Sequence, residues 1–228
     1  MAQRLSRVER QEQTRAKLVA AAQKVFLRRG FHDASVDEIA QVAGYTTGAV
    51  YSNFEDKDEL FLAVFDAERE RRIPAQAELM AKATSLEQAL RDTAREYRRH
   101  AEEIPEWTGL YVEFWIHASR RPRLRREISN RHEQLLDTVG TMVDDLTRRW
   151  NVELSISGRD AARGFYALSR GLGLEHLLGG QLANAALFEE MCVSFVKGLI
   201  RPEAIARRRK GKKASHGSKH DTSIPNRT

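Results

Sequence analysis

Residues 35–57 read SVDEIAQVAGYTTGAVYSNFEDK, and this stretch predicts two short helices joined by a glycine turn. Ser35 and Glu38 have the spacing of a capping box, in which each side chain satisfies a backbone donor at the start of a helix. Gly44 is predicted to end that helix, because glycine readily adopts the left-handed conformation that closes helices. A second short helix is predicted over about 46–53.

Longer helices are predicted on both sides of this pair. The apolar periodicity indicates a helix over 14–29 that ends at Gly30. A further capping box at 56–59 opens a helix to about residue 73, where Pro74 is expected to end or bend it. The helix over 14–29 and the two short helices that follow it form a helix-turn-helix unit. The same spacing also fits an ordinary helical bundle, so spacing alone leaves DNA binding open.

The rest of the chain is also predicted to be helical, which gives an all-α fold of about nine helices. Further helices are expected over 85–103, 105–118, 122–150, 159–178 and 185–200. The predicted divisions are a basic N-terminal arm (1–13), a helix-turn-helix unit (14–57), a larger helical domain (58–200) and a disordered basic tail (201–228).

Positive charge is concentrated at the two ends of the chain. The formal net charge is +6, with +6 in residues 1–30 and +7 in residues 201–228, so residues 31–200 carry −7. The stretch that most resembles a DNA-reading element is almost uncharged. The high pI of about 9.6 is therefore weak evidence for DNA binding by itself.

Cysteine usage and hydropathy favour a cytoplasmic protein. Cys192 is the only cysteine, which excludes an intrachain disulfide and a multi-cysteine zinc site. It is interpreted as a buried small hydrophobe rather than a redox sensor. No uncharged apolar run is long enough for a transmembrane helix, and the N-terminus lacks a signal-peptide pattern. We expect no membrane partner, no cofactor and no metal.

Residues 14–65 resemble the DNA-binding region of TetR-family transcriptional regulators. The positions that carry the resemblance are Leu18, Ala22, Phe26, Gly30, Val36, Ile39, Ala40, Ala43, Gly44, Gly48, Val50, Tyr51, Phe54, Lys57 and Leu60. The resemblance implies a homodimer that binds a palindromic operator. It also implies that the C-terminal bundle dimerises through about residues 159–200 and takes an effector that releases the DNA.

The resemblance also implies which residues contact double-stranded DNA. Thr47, Gly48 and Ala49 are implied to face the groove, while the implied phosphate contacts are Ser35, Thr46, Tyr51, Asn53 and Lys57. The Tyr51 ring is expected in the small core, with its hydroxyl group reaching the DNA.

Further positive charge is expected from the N-terminal arm. The basic residues expected to supply it are Arg4, Arg7, Arg10 and Arg15. The alternative is a solvated terminus without a defined role. In the same way, the basic run at the other end, 207–213, either adds non-specific DNA affinity or solubilises the protein.

An aromatic cluster in the C-terminal part predicts an effector site. Its members are Trp107, Tyr111, Phe114, Trp115, Phe165 and Tyr166, with His117 and His132 as candidate polar contacts. These residues suit a small apolar or aromatic effector. A close-packed aromatic core with satisfied histidines is the alternative.

Two stripes of residues predict the dimer interface. Small residues lie along the penultimate helix, and apolar residues lie along the last one; they are Ala162, Ser169 and Gly173, then Val193, Val196 and Leu199. His216 and His220 have metal-binding spacing, but the glycine in that segment argues against a helix.

Three classes of function were weighed. A ligand-responsive regulator, most simply a repressor, is favoured. An architectural DNA-binding protein would use the basic ends without sequence preference. An enzyme is disfavoured because the sequence contains no HExxH, phosphate-loop or nucleophile-elbow motif, and GLGLEH at 171–176 departs from GxGxxG at its last position.

Overall fold

The computed structural model describes residues 6–177 and 185–201, and this part of the chain is all-α, as predicted. An N-terminal helix-turn-helix unit is followed by a larger helical domain. The nine helices found there are α1 (Arg7–Asp33), α2 (Val36–Ala43), α3 (Thr47–Tyr51), α4 (Lys57–Lys82), α5 (Leu86–Glu103), α6 (Glu106–Ser119), α7 (Pro122–Arg149), α8 (Gly158–Leu177) and α9 (Ala185–Gly198).

Helix α1 begins seven residues earlier than predicted. Ser6 and Glu9 form a complete capping box: the Ser6 hydroxyl accepts from the Glu9 N–H, and the Glu9 carboxylate accepts from the Ser6 N–H. The first turns are polar, so apolar periodicity did not indicate them. Gly30 breaks the helix as expected, since it lies at φ 78°, and a short helical segment follows it.

The two capping boxes predicted from the sequence are only half formed. The Ser35 hydroxyl accepts from the Glu38 N–H at 3.1 Å, but the Glu38 carboxylate binds two arginines of α1. Asp56 accepts from the Glu59 N–H at 2.8 Å, while the Glu59 carboxylate accepts from the Glu55 N–H. In each box the glutamate carboxylate therefore binds another partner instead of the N–H of the capping residue.

Of the two alternatives predicted for Pro74, an end to the helix is excluded. Helix α4 continues through this proline to Lys82. Proline removes one backbone hydrogen bond from the helix interior. The last turns are anchored nonetheless, since Met80 packs with Ala83 and Leu146 in a buried cluster.

One aromatic core joins the helix-turn-helix unit to the C-terminal domain. Phe61 of α4 stacks on Phe114 of α6 with ring centroids 3.9 Å apart. Phe31 of α1 packs edge-on against both rings, at 5.4 and 5.0 Å. The core is thus continuous across the boundary predicted at residue 57/58, and α6 is packed directly against the DNA-binding unit.

Helix α6 is buried on one face and exposed on another. Leu110, Phe114 and Ala118 are buried, but Ile116 is 55 % exposed. None of the described helices is long and apolar enough to cross a membrane.

The end of α9 is fixed beside the loop that follows α7. Leu154 and Ile200 form an isolated antiparallel bridge, and the Arg201 N–H donates to the Glu153 carbonyl at 2.9 Å. Arg149, at the end of α7, donates to the Ala81 carbonyl at 2.8 Å near the end of α4.

Candidate nucleic-acid interface and ligand cavity

The turn between α2 and α3 depends on a left-handed glycine. Gly44 lies at φ 75° and ψ 29°, and its N–H donates to the Gln41 carbonyl at 3.1 Å. The next N–H, of Tyr45, donates to the Ala40 carbonyl at 2.9 Å. Because left-handed backbone is costly for residues with a Cβ, this position favours glycine.

The start of α3 is presented to solvent. Thr46 caps α3 by accepting from the Ala49 N–H at 3.3 Å, and both Thr46 and Gly48 are exposed. The Thr47 hydroxyl donates to Asp37 at 2.6 Å, which fixes its rotamer and turns that oxygen towards α2. Ser35, also exposed, caps α2.

Two further features of α3 differ from the prediction. The helix ends at Tyr51 rather than near residue 53. Its dipole is therefore small, because the helix has little more than one turn. The Tyr51 ring is 56 % exposed and does not lie in the core. Both its ring and its hydroxyl are therefore available to a partner.

Arg15 and Asn53 hold α1 against the end of α3. The Arg15 guanidinium donates to the Asn53 carbonyl at 2.6 Å and lies 4.1 Å from the Phe54 ring centroid. The Asn53 amide donates to the Ala49 carbonyl at 2.8 Å. Both polar side chains thus have structural partners within the protein.

Lys57 closes the junction between α1 and α2. Its Nζ donates to the carbonyls of His32 and Ala34 at 3.1 and 3.0 Å and lies 4.7 Å from the Phe31 ring centroid. Partial burial lowers the pKa of this ammonium group. Two of its three N–H donors are used internally, which leaves one for a phosphate.

The predicted effector residues do not form one site. A cavity of about 640 Å³, counted with its mouth, lies among α4, α5, α6, α7 and α8; we call it the α4–α8 cavity. Trp107, Tyr111 and Tyr166 line it, as predicted. Sequence reasoning missed its polar lining, which consists of Arg72, Tyr97, His100, Thr108 and Arg170.

The other predicted effector residues lie elsewhere. Phe114 belongs to the aromatic core, and His117 contacts Asp58 at 2.9 Å. Phe165 lines a separate, almost wholly apolar cavity that also contains Cys192. Trp115 and His132 lie behind the lining, with their rings 5.6 Å apart.

The two arginines of the cavity lie against aromatic rings. Arg170 is 4.9 Å from the Tyr111 ring centroid and 4.6 Å from that of Trp115. Arg72 is 5.1 Å from the Tyr97 ring centroid. Periodicity placed these residues on helices, but it gave no signal that their charges would point inward.

Two histidines near the cavity are held neutral. Burial, and then the charge of Arg170, lower the pKa of His132 to about 4. Burial, and then the charge of Arg72, lower the pKa of His100 to about 4. His100 lies 3.3 Å from the buried carboxylate of Glu68.

Glu113 connects α6 to the DNA-binding unit. Its carboxylate oxygens accept from the backbone N–H groups of Phe31 and His32 at 2.9 and 2.8 Å. Two residues and one residue earlier on the same helix, Tyr111 and Val112 line the α4–α8 cavity. A single helix therefore contacts both the cavity and the end of α1.

The stripes predicted for the dimer interface face the subunit's own interior. Ala162, Ser169 and Val193 are at most 2 % exposed. A Cβ on Gly173 would meet Thr108 at 3.2 Å. The apolar side chains that do reach the surface of α8 and α9 are Leu174, Leu177, Leu187 and Met191.

Some predictions fall outside residues 6–177 and 185–201. Arg4, His216, His220 and the basic run 207–213 are among them. Within those ranges, no group of three or more His, Cys, Asp or Glu residues is arranged to hold a metal ion.

Comparison with known proteins identifies both parts of the chain. Residues 18–64 match the family described as bacterial regulatory proteins, tetR family, and residues 86–201 match the BetI-type transcriptional repressor, C-terminal. The repressor BepR of Brucella suis is 42 % identical over 57 residues, which are 25 % of this chain and 27 % of BepR. The activator FasR of Mycolicibacterium smegmatis is 38 % identical over 88 residues, which are 39 % of this chain and 38 % of FasR. The chain thus matches between a quarter and two fifths of the length of these relatives.

Solved structures share the fold over most of the chain. A TetR-family regulator from Mesorhizobium loti has a TM-score of 0.66 at 24 % identity, and the match covers 83 % of this chain and 96 % of that one. FadR of Bacillus subtilis, solved with stearoyl-CoA, has a TM-score of 0.65 at 14 % identity, covering 80 % and 98 %. A regulator from Saccharomonospora viridis, solved with choline, has 0.63 at 15 % identity, covering 83 % and 98 %. On the strength of the two matched regions, the chain belongs to the TetR family of bacterial transcriptional regulators.

Proposed function

We propose that this protein is a cytoplasmic repressor that binds a palindromic operator as a homodimer and is released by a ligand in the α4–α8 cavity. The observation that carries the proposal is the position of α6. Glu113 of α6 binds the end of α1, while Trp107 and Tyr111 of the same helix line the cavity. A ligand that moves α6 therefore acts directly on the DNA-binding unit.

The exposed start of α3 supports sequence-specific DNA binding. Gly48 has no Cβ, and no charged side chain lies on α3, so the backbone can approach a groove closely. Thr47 and Ala49 offer methyl groups to a thymine methyl. The proposed phosphate contacts are Ser35, Thr46, Tyr51, one donor of Lys57 and the Asn53 amide. Arg15 positions Asn53 through its hydrogen bond to the Asn53 carbonyl.

The exposed leucines of α8 and α9 support dimerisation. Leu174, Leu177 and Leu187 are each about 40 % exposed, which leaves an apolar surface on two packed helices. Burial of that surface against a second copy would form a four-helix interface within residues 159–200. This interface uses different side chains of α8 and α9 from those that the sequence indicated.

The names of the relatives support repression without deciding it. BepR is described as a repressor and the C-terminal match is to a repressor type, whereas FasR is described as an activator. The proteins solved with stearoyl-CoA and with choline have ligands in the same fold. We propose the α4–α8 cavity as the ligand site of this chain because α6 contacts both the cavity and the end of α1.

Selection of bound duplexes from a random pool, followed by footprinting, tests the proposal. A repressor of this kind should enrich one palindrome with half-sites about one helical turn or somewhat more apart and protect it as a discrete region. Enrichment of no sequence, with protection that spreads evenly along DNA, would instead support an architectural role. Transcription from the selected palindrome then separates repression from activation.

A further inference from the structure

The α4–α8 cavity contains positive charge that the protein does not neutralise. Arg72 and Arg170 line it, and no Asp or Glu does. Over residues 6–177 and 185–201, neither arginine forms an ion pair. Their neighbour Arg71, by contrast, binds Glu68 at 2.7 Å. Because an unpaired cation in a partly buried site is costly, such a site favours an anionic partner.

The three tyrosine rings that line the cavity already lie against arginines, whereas the lining rings of Phe65 and Trp107 meet none among the described residues. Arg170 lies over Tyr111, Trp115 and Tyr166, at 4.9, 4.6 and 5.7 Å from their ring centroids. Arg72 lies over Tyr97. A quaternary ammonium ligand would need such ring faces for its own cation–π contacts. It would meet two guanidinium groups there, so a cation is disfavoured.

A buried hydroxyl group supplies an independent indication of a polar ligand. Tyr111 is 8 % exposed, and its hydroxyl lies beside the Trp115 indole without forming a well-aligned hydrogen bond within the part of the chain that the structure describes. The ring of the same tyrosine lies 4.9 Å from the Arg170 guanidinium, measured to the ring centroid. Unpartnered buried donors are rare in native proteins, and a bound acceptor would satisfy this one.

The cavity also has apolar lining. Phe65, Ile104, Val112 and Leu135 contribute it, beside the polar side chains of His100 and Thr108. We propose that the cavity binds a carboxylate with an apolar body, with Arg72, Arg170 and the Tyr111 hydroxyl holding the carboxylate. Guanidinium groups bind a planar carboxylate through two parallel hydrogen bonds. The inference rests on the proposed function, because it assigns the chemistry of the ligand in the same cavity.

The test is calorimetric titration of the full chain with matched probes. Decanoate and 2-naphthoate are compared with their primary amides and with the corresponding trimethylammonium compounds, all below micellar concentrations. We expect at least one carboxylate to bind tenfold or more tightly than its amide, and no ammonium probe to bind measurably. The inference is overturned if no carboxylate binds more tightly than its amide, or if an ammonium probe binds as tightly.

Variants identify the groups responsible. Arg72→Gln and Arg170→Gln should each weaken carboxylate binding about tenfold or more while amide binding is unchanged, since a charge-assisted hydrogen bond is lost. Arg170→Lys, which keeps the charge, should recover part of the affinity even if Arg170→Gln folds poorly. Arg148→Gln is the control, because Arg148 is exposed and pairs with Asp145 on its own helix. Unchanged carboxylate affinity in both cavity variants would contradict the assignment.

Operator binding is measured separately with the selected palindrome. Release of the operator by the binding carboxylate supports both the ligand chemistry and the proposed function. Tight carboxylate binding without any change in operator affinity supports the ligand chemistry and contradicts ligand-responsive regulation. The two proposals can therefore fail independently.

Discussion

At the scale of single residues, the cations around α3 form structural contacts within the protein. Lys57 was predicted to contact DNA from the family resemblance, and Arg15 as one of the basic residues of the N-terminal arm. In the structure, Lys57 donates to two backbone carbonyls and Arg15 to a third. Tyr51, expected in the core, is the exposed side chain. The distinction between a structural and a DNA-facing role can be measured.

Tyr51→Phe and Lys57→Met should separate these roles. Tyr51→Phe removes one exposed hydroxyl, so stability should change by less than about 0.5 kcal/mol, while operator affinity falls about tenfold if the hydroxyl binds a phosphate. Lys57→Met leaves two carbonyls without their donor and should lower the free energy of unfolding by about 1–2 kcal/mol. Urea unfolding and operator titration give both quantities. A stable Lys57→Met protein with unchanged operator affinity would refute both roles of the lysine.

Glu113→Gln should loosen the contact between α6 and the end of α1. An amide offers one acceptor oxygen where the carboxylate offers two to the N–H groups of Phe31 and His32. We expect a loss of about 1–2 kcal/mol of stability, because a charged acceptor is lost, and a weaker effect of the cavity ligand on operator affinity. Glu106→Gln, exposed in the first turn of the same helix, is the control. Equal coupling in the two variants would rule out Glu113 as a link.

At the scale of elements, the two glycines of the helix-turn-helix unit have different tasks. Gly44 is at φ 75°, and a Cβ there would meet nothing within 4 Å, so only its backbone conformation is demanding. Gly48 is inside a helix, and its one neighbour within 4 Å of an added Cβ is Thr46 Oγ1 at 3.8 Å. The two positions therefore separate the stability of the turn from the approach to DNA.

Gly44→Ala should lower stability by about 1–2 kcal/mol through left-handed strain. Gly48→Ala should preserve or raise stability, by up to about 1 kcal/mol, because alanine is the better helix former. If Gly48 allows close backbone approach, its alanine variant should nevertheless bind operator more weakly. Thermal unfolding and operator titration provide the readouts. A Gly48→Ala protein with full operator affinity would show that no close approach occurs there.

The sequence predicted the existence of the elements better than their ends. Capping residues and glycine stops identified α2 and α3, and apolar periodicity identified the long helices. The polar first turns of α1 and the passage of α4 through Pro74 were missed, since capping by Ser6 and packing of Met80 decide them. Ala162, Ser169 and Val193, predicted to lie at the dimer interface, are buried within the subunit, because a small-residue stripe suits packing within a subunit as well as between subunits.

The candidate cavity was predicted in part for a similar reason. Trp107, Tyr111 and Tyr166 were found because aromatic residues are conspicuous in a helical pattern. Arg72 and Arg170 were not, since most arginines on amphipathic helices face solvent. Only the three-dimensional packing shows that these two guanidinium groups lie against aromatic rings inside the domain.

At the scale of the whole molecule, acid should destabilise the fold through His100, which is buried, and His132, which is half-buried. The folded-state pKa of both His100 and His132 is about 4, below the unfolded value of about 6.5. Between these values the unfolded chain binds more protons, so the free energy of unfolding is full above pH 6.5 and falls as the pH drops towards 4.

His132→Gln should reduce this pH dependence, because one of the two histidines no longer titrates. Urea unfolding at several pH values between 7 and 4.5, at one protein concentration, measures the slope. His32→Gln, a change at an exposed histidine, is the control. A slope in His132→Gln equal to that of the unchanged protein would contradict the neutral buried state of His132.

The bridge between Leu154 and Ile200 determines where the C-terminal positive charge leaves the described structure. This bridge lies beside the end of α7, where Arg149 contacts the C-terminal end of α4. Helix α3 precedes the N-terminal end of α4. A 26-residue helix is about 39 Å long, several times the screening length of about 8 Å at physiological salt. Arg201, the last described residue, therefore lies at the end of the domain opposite α3. Helix α3 itself carries no charged side chain, so the operator recognition that we propose for it should depend on shape more than on charge.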